Sequence, residues 1–254
     1  MKTKIKKWAI RIATTGILLV GFLIGLVLSP SLFYAYKTEI GNYIIFHNTD
    51  LNSELETRLF KITDLVKESE LYNPKLRLEI CLNDGASYPK FIEKLRGPGF
   101  GWGFYNIIVL QGIADFEENT VELNGYKWNL EQLIAHETIH CYQFDKFGIW
   151  NSKPFKNYPN WKWEGYPEYI SRQKNDQIDL YKNIDRLFKF KENTPDKWAI
   201  EFSDGTISPI DYFEDWLLVK YYIEVEQLSY EELLEDKREK KVIKEVIQNW
   251  YNTR

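Results

Sequence analysis

Acidic residues are missing from the first 36 positions of the chain, and no charge of either sign falls between Arg11 and Lys37. The basic residues before that gap give residues 1–36 a formal charge of +5, whereas residues 37–254 carry −9. Because nucleic-acid binding needs clustered positive charge, a main part this acidic argues against a nucleic acid as the partner. Internal repeats and low-complexity segments are also absent. One folded domain with an appendage is therefore expected.

The uncharged stretch, residues 12–36, is long enough to cross a bilayer, which takes about 20 apolar residues. The basic flank is expected to stay in the cytoplasm and to send the rest of the chain across. A cleavable signal peptide is the alternative, but the stretch is long for one and Val27-Leu28-Ser29 followed by Pro30 is a poor cleavage site. We predict a cytoplasmic segment (1–11), a retained anchor (12–36) and an extracytoplasmic domain (37–254) of a single-pass membrane protein.

Hydrophobic patterning within residues 37–254 predicts strands first and helices later, which is typical of an α+β fold. The predicted strands are Ile40–His47, Lys75–Leu82, Phe104–Leu110 and Val121–Leu123. The alternation in Lys75–Leu82 predicts a half-buried strand with Cys81 on its polar face. The glycine-rich segment Gly97–Gly103 lacks the lysine-serine pair of a phosphate loop, so we interpret it as a turn in which backbone approaches backbone. Helices are predicted over 51–66, 88–95, 129–147, 164–171, 178–190, 211–224 and 230–251.

Histidine is scarce, with three in the chain, yet two of them stand four positions apart in His136-Glu137-Thr138-Ile139-His140. The helix that carries them is predicted to begin at Asn129, whose side chain caps it, and to end at Gly148. Gln132, three residues after the cap, is predicted to bond back to Asn129. Residues four apart share a helix face, so both imidazoles point to one spot and can bind a metal ion. Glu137 beside them is the candidate general base.

Catalytic zinc takes three protein ligands and a water, so two histidines leave the ion one ligand short. Because no histidine follows His140, the third ligand is expected to be a carboxylate. Glu164 is the best candidate, 24 positions after His140 and at the predicted start of the next helix, where Pro167 falls in the first turn. Glu168, one turn later, is expected to hold the second nitrogen of a ligand histidine. The alternative is that both glutamates are surface charges.

The two motifs, His136–His140 and Trp163-Glu164-Gly165-Tyr166-Pro167-Glu168-Tyr169, resemble those of the gluzincin zinc metallopeptidases, the thermolysin-like and peptidase MA-like proteins. The resemblance covers roughly Leu76 to Leu234. It implies a zincin-like domain with a twisted mixed sheet, an active-site helix and a helical C-terminal half. It also implies one Zn²⁺ per chain held by His136, His140 and Glu164, with Glu137 activating the water. The edge strand that would pair antiparallel with substrate is expected at Phe104–Leu110. Pro167 departs from the family, which has a small helix-forming residue there.

In such enzymes a tyrosine or histidine from a later helix often stabilises the oxyanion, and no histidine is available here. Tyr212 is the first candidate for this donor and Tyr221 the second. Trp161 and Trp163 are candidates to line the cleft, although aromatic packing explains them as well. Cys81 and Cys141 could form a disulfide in an oxidising compartment, but free thiols are the favoured interpretation.

These residues predict a membrane-anchored zinc peptidase acting on peptide or protein substrates outside the cytoplasm. One alternative is a binding module that keeps the fold without catalysis. Another is a metal-dependent amidase acting on cell-envelope peptides. An intramembrane protease is set aside, because only one segment is apolar enough to span a bilayer.

Overall fold

The computed structural model describes residues 2–173 and 176–254, which form a mixed α+β structure with one apolar helix at the N-terminus. That helix, α1, spans Lys2–Val27, and its 18-residue segment Ile10–Val27 has a mean hydropathy of 2.2 with no residue buried. It is long and apolar enough to cross a membrane. The helix ends at Val27, and Phe33 of the following 3₁₀ turn packs on Tyr88. Folded structure therefore begins before the domain boundary expected at residue 37.

The next elements build a five-stranded mixed sheet with two helices between its strands. They are β1 (Tyr36–Ile40), β2 (Tyr43–His47), α2 (Glu54–Val66), β3 (Leu78–Cys81), α3 (Ser87–Arg96), β4 (Gly101–Phe104) and β5 (Ile107–Leu110). The strand order is β1-β2-β3-β5-β4, with parallel pairing among β2, β3 and β5 and antiparallel pairing at both edges. The mixed sheet expected from the sequence is confirmed.

The remaining elements are a small sheet, a central helix and a helical C-terminal half. They are β6 (Ile113–Asp115), β7 (Thr120–Leu123), β8 (Tyr126–Asn129), α4 (Leu130–Phe147), α5 (Asn160–Ser171), α6 (Leu180–Asn193), β9 (Ala199–Glu201), β10 (Ile207–Pro209), α7 (Ile210–Glu224), α8 (Tyr230–Glu235) and α9 (Lys240–Asn252). The predicted helix 230–251 is thus two helices. The short β9–β10 hairpin was not expected from the sequence.

The predicted strand Phe104–Leu110 is wrong, because the chain turns back in its middle. Tyr105 adopts a φ of 58°, and the two-residue turn at Tyr105–Asn106 pairs β4 antiparallel to β5. The glycine-rich segment that we expected to be only a turn supplies Gly101 and Gly103 to β4. The edge strand next to α4 is therefore β4, and β5 lies inside the sheet between β3 and β4.

The expected polar face of β3 is also wrong. Cys81 is completely buried, packed in a cluster with Ile44, Phe46, Tyr88 and Val109. This face of the sheet is covered because α3 packs on it, while the opposite face contributes to the main core with α2 and α4. Both cysteines are buried free thiols, in agreement with the favoured interpretation.

Helix α5 lies close against α7 because Gly165 has no side chain. A Cβ at Gly165 would lie 2.6 Å from the carbonyl oxygen of Asp215, well inside contact distance. The same helix packs on α4, so α5 is held between α4 and α7. The position of α5 decides which of its side chains face the two histidines.

Candidate metal centre

The two histidines are brought together by α4, which begins where the sequence predicts. The side chain of Asn129 caps the helix by accepting a hydrogen bond from the backbone N–H of Gln132, and Gly148 ends it. The predicted second capping bond, from the side chain of Gln132 back to Asn129, is not formed. The Gln132 side chain instead donates to Oε1 of Gln177. His136 and His140 lie one turn apart on a buried face, and their Nε2 atoms are 3.1 Å from each other.

Glu164, the predicted third ligand, lies close to both imidazoles. Its Oε2 lies 3.2 Å from Nε2 of His140 and 3.5 Å from Nε2 of His136. In a tetrahedral zinc site with bonds of about 2.0–2.1 Å, ligand atoms lie about 3.3 Å apart. The three donor atoms therefore have the mutual spacing that one small divalent cation requires. Together with Glu137, the histidines also form a group whose ligand atoms lie within 4.8 Å of one another.

Glu164 lies inside α5 and not at its start, so the predicted helix start is wrong. The helix begins at Asn160, directly after Pro159, and Pro167 falls in its interior. A proline there leaves the carbonyl four residues earlier without its helical partner. That carbonyl belongs to Trp163, and it accepts a hydrogen bond from Nε2 of Gln143 at 3.0 Å. The helix tolerates Pro167 because a side chain replaces the missing donor.

Glu168 lies where the sequence places it, one turn after Glu164 and next to His136, one of the two predicted histidine ligands. Its Oε1 is 2.9 Å from Nδ1 of His136, and its Oε2 accepts a hydrogen bond from Nε of Arg172 at 2.5 Å. Arg172 is buried and also donates to the hydroxyl of Ser208. Burial alone would raise the pKa of Glu168, but Arg172 and His136 hold it below its ordinary value. Glu168 is therefore kept ionised against His136.

The side chains in direct contact at the site do not balance in charge, and Arg96 and Lys153 lie farther out in the lining of the cleft. Three carboxylates, those of Glu137, Glu164 and Glu168, face one guanidinium, that of Arg172, so the formal charge is −2 when both imidazoles are neutral. Burial works against a proton on His136, yet Glu164 and Glu168 outweigh it and raise the pKa of His136 to about 10. His140 and His136 hold the pKa of Glu164 well below its ordinary value, although burial alone would raise it. The site thus favours added positive charge where the donors meet, and a divalent cation matches the deficit.

Strand β4 lies directly against the helix turn that carries Glu137. A Cβ at Gly103 would lie 2.3 Å from the carbonyl oxygen of Glu137, and a Cβ at Gly101 would lie 3.0 Å from its Oε1. Any side chain at Gly103 would therefore collide with α4. The close backbone approach expected for the glycine-rich segment is confirmed, and it places the free edge of the sheet beside Glu137.

Tyr212 lies in the first turn of α7 and borders the site. Its ring centroid is 6.0 Å from that of His136, and the ring packs edge-on against Trp128. Burial and the neighbouring carboxylates of Glu164 and Glu137 raise the pKa of its hydroxyl, which therefore stays protonated. Tyr221, the second candidate, lies elsewhere, with its ring against Trp250.

The donors lie in a cleft with two chambers. The larger, of about 540 Å³, lies toward the end of α4, and the second, of about 420 Å³, extends over Glu137 toward Tyr212. The aromatic residues of the larger chamber are Trp102, Phe104, Phe144, Phe155 and Trp163. Trp163 thus lines the cleft, whereas Trp161 packs on Tyr222. Arg96, His140 and Glu164 border both chambers.

Sequence reasoning missed two residues that contact predicted site residues and one that borders the cleft. Gln143 contacts His140 and lies three positions after it, and Arg172 contacts Glu168 and lies four positions after it. These are the spacings of neighbours on a helix surface, so a search of positions three and four beyond each candidate would have found both. Arg96 had no such signal, because sheet topology alone brings it to the cleft.

Comparison with known proteins adds no family assignment: no protein-family model matches the chain, and no curated protein matches it.

Proposed function

We propose that this chain is a membrane-anchored zinc peptidase of the gluzincin type with a zincin-like fold. The observation that carries the proposal is the convergence of two imidazoles and a carboxylate at 3.1–3.5 Å, beside the carboxylate of Glu137. His136, His140 and Glu164 would hold one Zn²⁺ at the border of the cleft. A purely structural zinc site has four protein ligands, whereas a catalytic site has three. Three ligands that line a cleft beside the carboxylate of Glu137 therefore favour catalysis.

The residues around the site have distinct roles in hydrolysis. A bound Zn²⁺ supplies a water whose pKa is lowered to about 7 and polarises the scissile carbonyl. Glu137 takes a proton from the attacking water and returns it to the leaving amine. Tyr212 donates a hydrogen bond to the oxygen that gains charge in the transition state. Glu168, held by Arg172, keeps the ring of His136 in place.

The free edge of β4 suits an extended peptide. Phe100 turns its carbonyl toward β5, where it accepts from the N–H of Gln111. Since main-chain groups alternate in direction along a strand, Gly101 and Gly103 turn theirs toward the open edge, where Arg96 donates to the carbonyl oxygen of Gly101 at 3.5 Å. A peptide pairing antiparallel with this edge would pass over Glu137, and its side chains would enter the two chambers.

The apolar helix α1 would anchor the enzyme to a membrane. Its basic N-terminal residues favour the cytoplasmic side for that end, so the folded domain would lie outside the cytoplasm. The substrates are then peptides or proteins of that compartment.

The test compares the full chain in detergent micelles, loaded with zinc, with its Glu137→Gln variant on a peptide library. We expect wild type to cleave, and the variant to lose about 10²–10⁴-fold in rate because it has no general base. Zinc content should be equal, since Glu137 is not one of the three ligands. Glu118→Gln, the same change at an exposed turn, is the matched control and should behave as wild type.

Each other outcome has a distinct meaning. Equal rates for wild type and Glu137→Gln would remove Glu137 as the base. Zinc-loaded wild type that cleaves nothing would support the non-catalytic binding module. Cleavage restricted to cell-envelope peptides would support the amidase.

A further inference from the structure

Gln143 lies three residues after His140 on α4, and its side chain is fully buried. Its Oε1 lies 2.7 Å from Nδ1 of His140. Its Nε2 lies 3.0 Å from the carbonyl oxygen of Trp163 and 2.6 Å from the hydroxyl of Tyr230. One amide therefore joins α4, α5 and α8 at a point directly behind a proposed metal ligand.

The partners of this amide decide its orientation. The carbonyl of Trp163 can only accept a hydrogen bond, so the amide must present its NH₂ group to it. The amide oxygen then faces His140, and this oxygen can only accept. Nδ1 of His140 must therefore carry the hydrogen, which leaves the lone pair of Nε2 directed at Glu164 and His136. Only this tautomer can bind a metal through Nε2.

The bond to Trp163 exists because of Pro167. In an ordinary helix the N–H of residue 167 would bond to the carbonyl of Trp163, but proline has no N–H. Gln143 takes the place of that donor, next to Glu164 in the chain. The amide consequently links the backbone that carries Glu164 to the imidazole of His140. It fixes the orientation of one ligand and the distance between two.

The two histidines are supported differently. His136 has the ionised carboxylate of Glu168 behind it, whereas His140 has the neutral amide of Gln143. A second carboxylate behind the ligands would bring the formal charge of the cluster from −2 to −3, more than a divalent cation offsets. The neutral amide orients His140 without that cost.

We propose that Gln143 is a positioning residue of the metal site, which holds His140 in its Nδ1–H tautomer and clamps α4 to the α5 turn that carries Glu164. The proposal rests on the proposed zinc site. It does not depend on which bond the enzyme cleaves.

The test measures zinc affinity of the full chain in detergent by competition with a chromophoric chelator, together with the absorption spectrum of the Co²⁺-substituted protein. Gln143→Met keeps the volume but removes the hydrogen bonds to His140, Trp163 and Tyr230, and we expect zinc affinity to fall about 10–100-fold. The Co²⁺ spectrum should change as well, because the ligand geometry loosens. Gln143→Glu keeps an acceptor for Nδ1 of His140 and should recover part of the affinity.

Tyr230→Phe is the matched control. It removes the hydroxyl that accepts a hydrogen bond from the Gln143 amide but keeps the ring stacked on Tyr166 at 3.9 Å. We expect zinc affinity within about threefold of wild type, since the bonds to His140 and Trp163 remain. A Gln143→Met protein with wild-type affinity and an unchanged Co²⁺ spectrum would overturn the proposal.

The tautomer of His140 gives a second measurement that needs no metal. Nitrogen NMR of metal-free wild type should show His140 protonated at Nδ1, and Gln143→Met should lose this preference. Protonation of His140 at Nε2 without a hydrogen on Nδ1 in wild type would overturn the proposal even if zinc binds. If wild type binds no zinc, the proposed function fails, whereas the tautomer still decides the bond to Gln143.

Discussion

Two clusters of buried carboxylates lie on neighbouring helices, and they balance their charge in different ways. The metal cluster consists of Glu137, Glu164 and Glu168 with Arg172. The lysine cluster joins α6, α7 and α9 and consists of Glu214 and Asp215 with Lys191, Lys240 and Lys244. Its two carboxylates face three ammonium groups at 2.5–3.3 Å, so its formal charge is +1. The formal charge of the metal cluster is −2.

The difference shows which cluster is complete without a ligand. Burying an ion costs several kcal/mol unless an opposite charge compensates it. The lysine cluster supplies its own cations, from long side chains that reach in from the surface. The metal cluster has one cation for three carboxylates, and its three unshared donors point at one another. A divalent cation at these donors, as proposed, would offset the excess negative charge of the metal cluster.

The largest effect that separates the clusters is the response of stability to zinc. Free zinc at about a thousandfold over its Kd should add about 4 kcal/mol to the free energy of unfolding. The gain should disappear in His140→Ala, which lacks a ligand, and persist in Glu214→Gln. Denaturant unfolding with zinc and with chelator measures it. An equal zinc effect in His140→Ala would place the ion elsewhere.

Strand β4 packs closely on α4 beside the metal cluster, and Gly103→Ala tests this packing. The added Cβ would lie 2.3 Å from the carbonyl oxygen of Glu137, so we expect a loss of about 3 kcal/mol in stability. Gly99→Ala is the control, because its Cβ would meet its nearest neighbour at an ordinary 3.5 Å. Equal stability of the two variants in urea unfolding would contradict the packing argument.

Tyr212 should matter for the reaction and not for the charge balance. Tyr212→Phe removes the proposed oxyanion donor, so the rate of peptide cleavage should fall about 10²-fold with zinc affinity unchanged. Steady-state kinetics and the chelator competition measure the two effects. Tyr221→Phe is the control and should keep full activity. A rate loss confined to Tyr221→Phe would reverse the assignment.

The lysine cluster should give the smallest effects, and they depend on pH. Burial would raise the pKa of Glu214, but Lys191 and Lys244 lower it to about 2, from an ordinary 4.5. Its stabilisation is therefore complete above pH 4.5 and is lost as pH falls toward 2. Glu214→Gln should cost about 2 kcal/mol at pH 7 and progressively less in acid.

Asp215, next to Glu214, should give a pH dependence of stability that runs in the opposite direction. Burial raises the pKa of Asp215 to about 6, despite its contact with Lys240. The folded state should therefore lose stability as pH rises from about 4 to 6, and Asp215→Asn should remove that loss. Unfolding of the metal-free protein across pH measures both variants. The stability difference between wild type and each variant should vary with pH in opposite directions for Glu214→Gln and Asp215→Asn. The same pH dependence for both variants would contradict the assigned pKa directions.

The sequence predicted some parts of the molecule and not others. The spacing of His136 and His140 was sufficient to predict that their imidazoles meet, because helix geometry is local. Glu164 and Glu168 were expected from the ligand count and the motif resemblance, and the packing of α5 on α4 brings them to the histidines. The direction of β4 was not predictable, since a two-residue turn at Tyr105 with positive φ decides it. The start of α5 was misjudged because Gln143, distant in the chain, satisfies the carbonyl that Pro167 leaves free. The lysine cluster depends on how α6, α7 and α9 pack, which no local pattern encodes.

The most direct test of the zinc site is the X-ray absorption spectrum of the full chain after purification with zinc. Two imidazole nitrogens and carboxylate and water oxygens at about 2.0–2.1 Å, with one zinc per chain, are expected. Substoichiometric zinc, or a sulfur ligand at about 2.3 Å such as Cys141 would supply, would contradict the assignment of His136, His140 and Glu164.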